Sequence, residues 1–510
     1  SSLSTDVARL IPNDTDVTTY KERGWLTLNS AIVGNETRYH SPGDNLAGLD
    51  PRSLQDMGDE ALALTSELSA RLPHASGTNI FFDLSQRVFV EMPLWAGVVC
   101  LLVLLAGFAA IAWGRGAPVR SITVVLGAIV SGSVLAWLAV TIAGFLSAGV
   151  YWRAHPEITF LAIYATTLLG ELAILRTVGR KLDPRQLRPA FWLVFLIVGV
   201  ALGLAAPGGI IYFLFPPAVV LIGILLRRWY APSEWIGALI GILLLYLTWG
   251  ELLASLEELF SPGPLWIVAP VAAIMIVPVL IEAQPLFEGA DRRITMLGSA
   301  CLAVLAWALV AATPAYSKDH QQRFTIEHLA QFPSRRSSWS ILNDGAKLPP
   351  AYSSFGPWHR GKLDFSERQR WLAKAPAASG IEPPSIQVVE AVNHGSERNV
   401  RLRLQSNGAE RILLVAPAEA HIQTAGVAGF IRPIASEDSS GRFTIACTGR
   451  GCDGTELSID LNSAVPVQFT IVGARNGLPT AAAPLVTGRP QFARPQYTPD
   501  ETVTIAHVKL

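Results

Sequence analysis

Charge is what this sequence has least of. Only 16% of its 510 residues are Asp, Glu, Lys or Arg, against about 25% in ordinary soluble domains, while half are hydrophobic. A single soluble globule is thereby excluded. The shortfall lies between Pro93 and Thr313, where charges fall in short clusters between apolar runs, and both flanks have ordinary polar composition. Three regions are therefore expected. Net charge is missing too: 40 Lys+Arg balance 40 Asp+Glu, and no basic stripe occurs outside the loops between apolar runs, which excludes nucleic acid as a partner. No segment of the first 30 residues joins a basic start to an apolar run, so no signal peptide is expected. The chain begins Ser1-Ser2-Leu3 without Met, which reads either as a cytoplasmic start or as a piece of something longer. Cysteine is scarce. Cys100 and Cys301 lie in apolar runs and read as small apolar residues. Cys447 and Cys452 enclose Thr-Gly-Arg-Gly, a turn between strands, where a local disulfide is expected over free thiols on an oxidising side of a membrane. A zinc pair there is disfavoured, because no second Cys or His pair lies nearby in sequence.

What the chain does have is long apolar runs. A helix needs about 20 mainly apolar residues to cross a bilayer, and eight stretches qualify: roughly 93–113, 121–150, 157–175, 189–206, 208–226, 235–254, 264–281 and 294–313. The fourth and fifth are separated only by Pro207-Gly208-Gly209 and form either a tight hairpin or one broken segment. Alternate loops carry the basic residues: Arg115 and Arg120, then Arg176, Arg180, Lys181, Arg185 and Arg188, then Arg227 and Arg228, then Arg292 and Arg293; the intervening loops hold Arg153 alone. The basic set should face the cytoplasm, which places both terminal regions on the other side, in a periplasm or lumen. Glu171 and Glu251 are the acidic residues inside apolar runs, expected near the span ends with interfacial or structural roles. Gly127, Gly132 and Gly144 read as sites of close helix packing. Pro270 and Pro278 read as kinks. An anchor or scaffold is the default reading of the spans.

In the first 90 residues, 14–23 read as a capped helical turn closed by Gly24, and Trp25 to Val33 as a buried strand. A polar loop follows, with Pro42-Gly43 forcing a turn. Leu54, Met57, Ala61, Leu62, Leu64, Thr65 and Leu68 then recur at helical spacing after Asp50, Pro51 and Ser53. His40 falls in the loop beyond the strand, where ligands gather in α/β sheets. A lone loop histidine reads as a surface residue, and no other His, Asp or Glu here has ligand spacing. Asn13-Asp14-Thr15 and Asn35-Glu36-Thr37 match glycosylation acceptors and are read as chance matches.

The wider pattern carries more. Tyr39-His40-Ser41-Pro42-Gly43-Asp44-Asn45, then Leu49-Asp50-Pro51-Arg52-Ser53-Leu54-Gln55, Gly58-Asp59 and Ala61-Leu62-Ala63-Leu64, resembles the end of the catalytic domain in zinc-dependent exopeptidases of the aminopeptidase and glutamate-carboxypeptidase type, the peptidase family numbered twenty-eight. Thr15-Asp16-Val17-Thr18-Thr19-Tyr20 fits the same family. Ile80-Phe81-Phe82-Asp83-Leu84 and Val88-Phe89-Val90 resemble the link into the membrane in its multi-spanning branch, the vacuolar membrane protease and endoplasmic-reticulum metallopeptidase type. The resemblance implies that His40 is the last ligand of a two-zinc site, that Tyr39 stabilises the oxyanion formed when water attacks a peptide carbonyl, and that Asp44 and Asn45 fix the loop. The other implied ligands, a further His, a bridging Asp, two acidic residues and a general-base Glu, precede the Tyr-His motif by a long stretch in that family. Only 38 residues precede Tyr39 here, and the one adjacent glutamate pair, Glu257-Glu258, follows the sixth span. The chain is therefore expected to be the carboxyl-terminal part of a longer enzyme and inactive alone.

After Thr313, short alternating runs at 387–392, 399–405, 411–415, 442–446, 456–461 and 465–472 point to an antiparallel sandwich. Residues 333–385, rich in Pro, Ser and aromatics, read as loops over that core. His320, His328, His359, His394, His421 and His507 have no ligand spacing, and no catalysis is assigned there. The expected fold is thus the end of an α/β zinc-peptidase domain (1–75), a linker (76–92), about eight transmembrane helices (93–313) and an extracytoplasmic β-rich domain (314–510). The expected function is hydrolysis of peptide substrates by a bilayer-anchored, zinc-dependent exopeptidase on the non-cytoplasmic face. The alternative is a non-catalytic multi-span protein, transporter-like or an assembly factor, with a remnant peptidase fold.

Overall fold

The computed structural model describes residues 1–510 except 5, 7–16, 18, 19, 21, 22, 26, 28, 33–37, 71–77, 85, 86, 288, 290, 396, 435–441 and 464. The chain divides into two compact units: residues 1–36, 49–147 and 151–315, and residues 37–48, 148–150 and 316–510. Most of the expected turn at 14–23, with Asn13 and Asn35, lies outside the described residues.

In the first unit, helix α1 (Pro51–Ala70) begins where the sequence says it should. Proline supplies a helical φ at the first position, and the Asp50 carboxylate accepts the Arg52 N–H at 2.9 Å. No residue of α1 is buried, so its stripe of Leu54, Met57, Leu64 and Leu68 has no core to cover it among the described residues. The strand expected at 25–33 does not form in the described part of that run, where Trp25 and Ile32 are exposed. A strand is held by pairing its backbone groups with a neighbour, and among the described residues no sheet partner stands beside it. The stretch taken as a linker is instead partly an antiparallel hairpin, β1 (Asn79–Leu84) and β2 (Val88–Pro93). Its buried Phe82 packs on the rings of Tyr212 and Phe215.

Among the described residues, eight helical stretches long and apolar enough to cross a membrane follow. They are α2 (Leu94–Gly114), α3 (Pro118–Leu146), α4 (Pro156–Thr177), α5 (Pro184–Ala205), a 3-10 turn Pro207–Phe213 running into α6 (Phe215–Leu226), α7 (Ser233–Leu259), a 3-10 turn Leu265–Ile267 running into α8 (Val268–Glu282), and α9 (Arg292–Ala312). The broken reading at Pro207 is resolved as two spans. Pro189 and Pro278 lie inside helices α5 and α8.

Of the three glycines read as packing sites, only Gly132 makes a tight crossing. A Cβ there would come within 2.9 Å of the Thr167 carbonyl, and one on Gly170 of the facing α4 within 2.8 Å of Gly132 itself. Gly127 has ordinary clearance and Gly144 meets nothing. Substituting Gly132→Ala is expected to force α3 from α4 and cost about 1–3 kcal/mol, while Gly144→Ala should be near neutral. Thermal unfolding of the two variants in detergent checks this; equal midpoints would contradict it.

At the end of the bundle that carries the basic loops, charges interlock below the surface. Arg188 of α5 grips Glu282 of α8 through two bonds of 2.6 Å and also donates to Glu234 at the start of α7. Glu234 takes Arg115 at 2.7 Å and Arg227 at 3.1 Å. Five spans are tied together there.

The second unit is β-rich. Its eight-stranded sheet runs β13 (Phe443–Thr448), β10 (Arg411–Ala416), β15 (Gln468–Asn476), β17 (Glu501–Lys509), β4 (Thr325–Gln331), β5 (Arg336–Leu342), β7 (Ser366–Ala375), β6 (His359–Leu363). A five-stranded sheet runs β12 (Phe430–Pro433), β11 (Ile422–Val427), β14 (Glu456–Leu461), β9 (Glu397–Gln405), β8 (Ser385–His394). All neighbours are antiparallel except β17 and β4. A short parallel pair, β3 (Gln322–Arg323) and β16 (Ala493–Arg494), stands apart. Val400, Leu402 and Leu404 from one sheet and Ile412, Leu414 and Ile471 from the other share one core, the sandwich the alternation implied. Residues 333–385 hold three strands of the large sheet, β5, β6 and β7, as well as the expected loops. Cys447 and Cys452 are joined as a disulfide with Cα atoms 5.7 Å apart.

Candidate functional site

The Tyr39-His40 turn belongs to the second unit. Ser41 closes the turn, its hydroxyl donating to the Arg38 carbonyl at 2.7 Å. Asn45 bonds to the Pro42 carbonyl and the Gly48 N–H at 3.0 and 3.2 Å, so it fixes the loop; Asp44 is exposed, its N–H reaching the Ser41 carbonyl. The two motif residues are pinned by their backbones. Gln496 Nε2 donates to the Tyr39 carbonyl at 2.8 Å and the Tyr497 N–H to the His40 carbonyl at 2.7 Å. Their rings are left outward: Tyr39 is 52% exposed, the two rings stack at 3.8 Å, and Tyr497 meets His40 edge-on at 5.3 Å. His40 has a φ of 51°, a left-handed conformation that is uncommon outside glycine. The backbone of the turn is thus anchored while both side chains are exposed.

Arg323 and Arg368 lie over the outer ring, 5.2 and 5.8 Å from the Tyr497 centroid. Arg368 also lines a cavity of about 230 Å³ on the face of the large sheet opposite the sandwich core. Leu329, Val472 and Val503 form its floor, the Leu363–Phe365 turn its wall, and Glu327, Arg370, Arg411 and Glu501 its polar side. Arg370 donates to Glu327 at 2.6 Å, both nearly fully buried, and Ser340 donates to the same carboxylate at 2.5 Å. Arg411 Nη2 reaches both Glu501 oxygens, at 2.9 and 3.1 Å. Burial, with the Glu327 charge close by, outweighs that contact and pushes the Glu501 carboxyl up to about 7. Sequence reading missed this cluster. Its signal is a charge inside a strand of otherwise apolar or β-branched residues, as at Glu501 before Thr-Val-Thr-Ile, but the partners come from four strands far apart in sequence.

Among the described residues no three of His, Cys, Asp and Glu come together as a metal ion requires. Glu257, half of the adjacent glutamate pair, is taken up by the Tyr164 hydroxyl. No family model and no curated protein matches the chain.

Inside the bundle, Glu171 departs from its expected interfacial place. It is fully buried on α4, against Gly132, with neither carboxylate oxygen hydrogen-bonded. The span continues to Thr177, so this carboxyl sits more than a helical turn inside it. Glu251, by contrast, is half-buried on α7.

Proposed function

We propose that the chain is part of a bilayer-anchored, zinc-dependent exopeptidase acting on peptides at the non-cytoplasmic face, with Tyr39 and His40 completing a site whose other ligands lie outside these 510 residues. The observation that carries this reading is a pairing: a Tyr-His turn held by its backbone with both rings exposed, and just after it a helix, α1, whose apolar stripe is covered by nothing among the described residues. Both parts call for a further folded segment, since an amphipathic helix gains its stability by burying that stripe. Eight spans with alternate loops basic favour both terminal regions emerging on the non-cytoplasmic side, and the Cys447–Cys452 disulfide suits an oxidising compartment there. In this role the Tyr39 hydroxyl would donate to the oxyanion of the attacked carbonyl.

The scarcity of ligands also favours the second reading, a non-catalytic membrane protein retaining part of a peptidase fold. Either way the purified 510-residue chain is expected to hold no zinc in stoichiometric amount after dialysis and to release no amino acids from peptides above background. Elemental analysis with a peptide-release assay checks this. One or two zinc ions per chain, or metal-dependent release, would overturn the division of the site.

A further inference from the structure

The cavity of about 230 Å³ on the large sheet lies wholly within the β-rich unit, and strand register explains its divided chemistry. Glu501 of β17 stands opposite Glu327 of β4, and Glu327 opposite Ser340 of β5, so two carboxylates share one end of the floor. Val503 stands opposite Leu329 on the same strand pair. These lie two residues further along each strand and hence on the same face, so the next stretch of floor is apolar. Each carboxylate has one guanidinium, Arg411 for Glu501 and Arg370 for Glu327. Donors run short there: both bonds to Glu327 end on Oε2, and Oε1 accepts none among the described residues. Burial first, then the Glu327 charge, push the Glu501 carboxyl up to about 7, so a further cation between the two carboxylates would be stabilising. The rim has the opposite imbalance. Arg368 of β7 is exposed and makes no ion pair among the described residues, its guanidinium lying over the Tyr497 ring.

We propose that this cavity binds a free apolar α-amino acid, its ammonium between Glu327 and Glu501, its carboxylate on Arg368 and its side chain over Leu329, Val472 and Val503. Size and charge decide the occupant. The cavity is smaller than the roughly 300–1,000 Å³ that drug-sized ligands fill, which suits a molecule of one residue. A simple carboxylate with the same apolar body would leave the Glu327 oxygen unmatched, and a simple amine would leave Arg368 unmatched. Arginine suits a carboxylate because its paired N–H groups lie in one plane. Glycine would satisfy both charges but leave the apolar floor uncovered. The site uses no zinc ligand and stands apart from the peptidase reading, although Tyr497 touches both Arg368 and His40.

The test is calorimetric titration of the full chain in detergent with L-leucine and three analogues. Leucinamide, which lacks the carboxylate, and 4-methylpentanoate, which lacks the ammonium, should each bind about tenfold or more weakly than leucine. Glycine should be weaker by a similar factor for want of a side chain, about tenfold. These comparisons need no variant to fold. Arg368→Gln, which has no ion pair to lose, should weaken leucine by about tenfold, while Arg401→Gln, exposed on the five-stranded sheet, should bind it as the wild type does. His40→Ala should also keep full affinity. Absence of leucine binding at millimolar concentrations would overturn the proposal, as would analogues as tight as leucine or an Arg368→Gln protein of unchanged affinity. Loss of binding in His40→Ala would place the amino acid at the Tyr-His turn instead and overturn it too.

Discussion

Replacing Arg188 by Leu is expected to destabilise the helical bundle by about 3–5 kcal/mol, the cost of breaking a buried ion pair by removing one partner. The side chains of Arg188, Glu234 and Glu282 are each under 10% exposed. Glu234 would keep Arg115 and Arg227, but Glu282 loses both bonds it makes to Arg188 and is left as an uncompensated carboxylate. The effect should therefore come mostly from Glu282. Arg188→Met combined with Glu282→Gln should recover part of the loss, since a buried neutral amide without a partner costs less than a buried unpaired carboxylate. Unfolding in mixed detergent micelles measures both variants. An Arg188→Leu protein as stable as the wild type would mean that water or lipid already reaches this cluster.

The β-rich unit should lose stability as pH rises from about 4.5 to about 7, by roughly 3 kcal/mol from Glu501 alone. Its carboxyl, ordinarily near 4.5, is pushed up to about 7 by burial in the cavity wall. Protons are thus held more tightly folded than unfolded. That contribution is whole below about 4.5 and gone above about 7. His328 works the other way. Burial lowers its pKa, though its ring bonds to the Pro376 carbonyl, so its contribution is lost as pH falls. The difference between wild type and Glu501→Gln isolates the carboxyl. Hydrogen exchange of β15 and β17 amides in the full chain, corrected for intrinsic rates, should show protection falling with pH in the wild type relative to the variant. Parallel curves would contradict the assignment.

The spans were legible because apolar runs of the required length leave little choice. One start was not. The apolar run of α5 begins near Pro189, but the helix begins at Pro184, because Asp183 and Gln186 form a capping box before it. In the β-rich unit, strands that alternate cleanly, such as Val400, Leu402 and Leu404, were readable, while β5 and β7 were not. Their inward positions include Ser340 and Arg370, which are buried because they satisfy Glu327 across the sheet. Periodicity sees residue type and not partnership. The same blindness hid the charged cavity and the burial of Glu171. The Tyr39-His40 turn was found only through its motif. Its backbone anchors, Gln496 and Tyr497, lie near the other end of the chain, and the strand expected to precede it finds no partner among the described residues.

The most direct measurement is peptide hydrolysis by the protein isolated from its native membranes, compared with the same protein carrying His40→Ala or Tyr39→Phe. Chelator-sensitive release of single amino acids is expected, abolished by His40→Ala and cut by about 10²–10³-fold by Tyr39→Phe. Native protein without such release, or release indifferent to His40→Ala, would contradict the peptidase reading and leave a non-catalytic membrane protein.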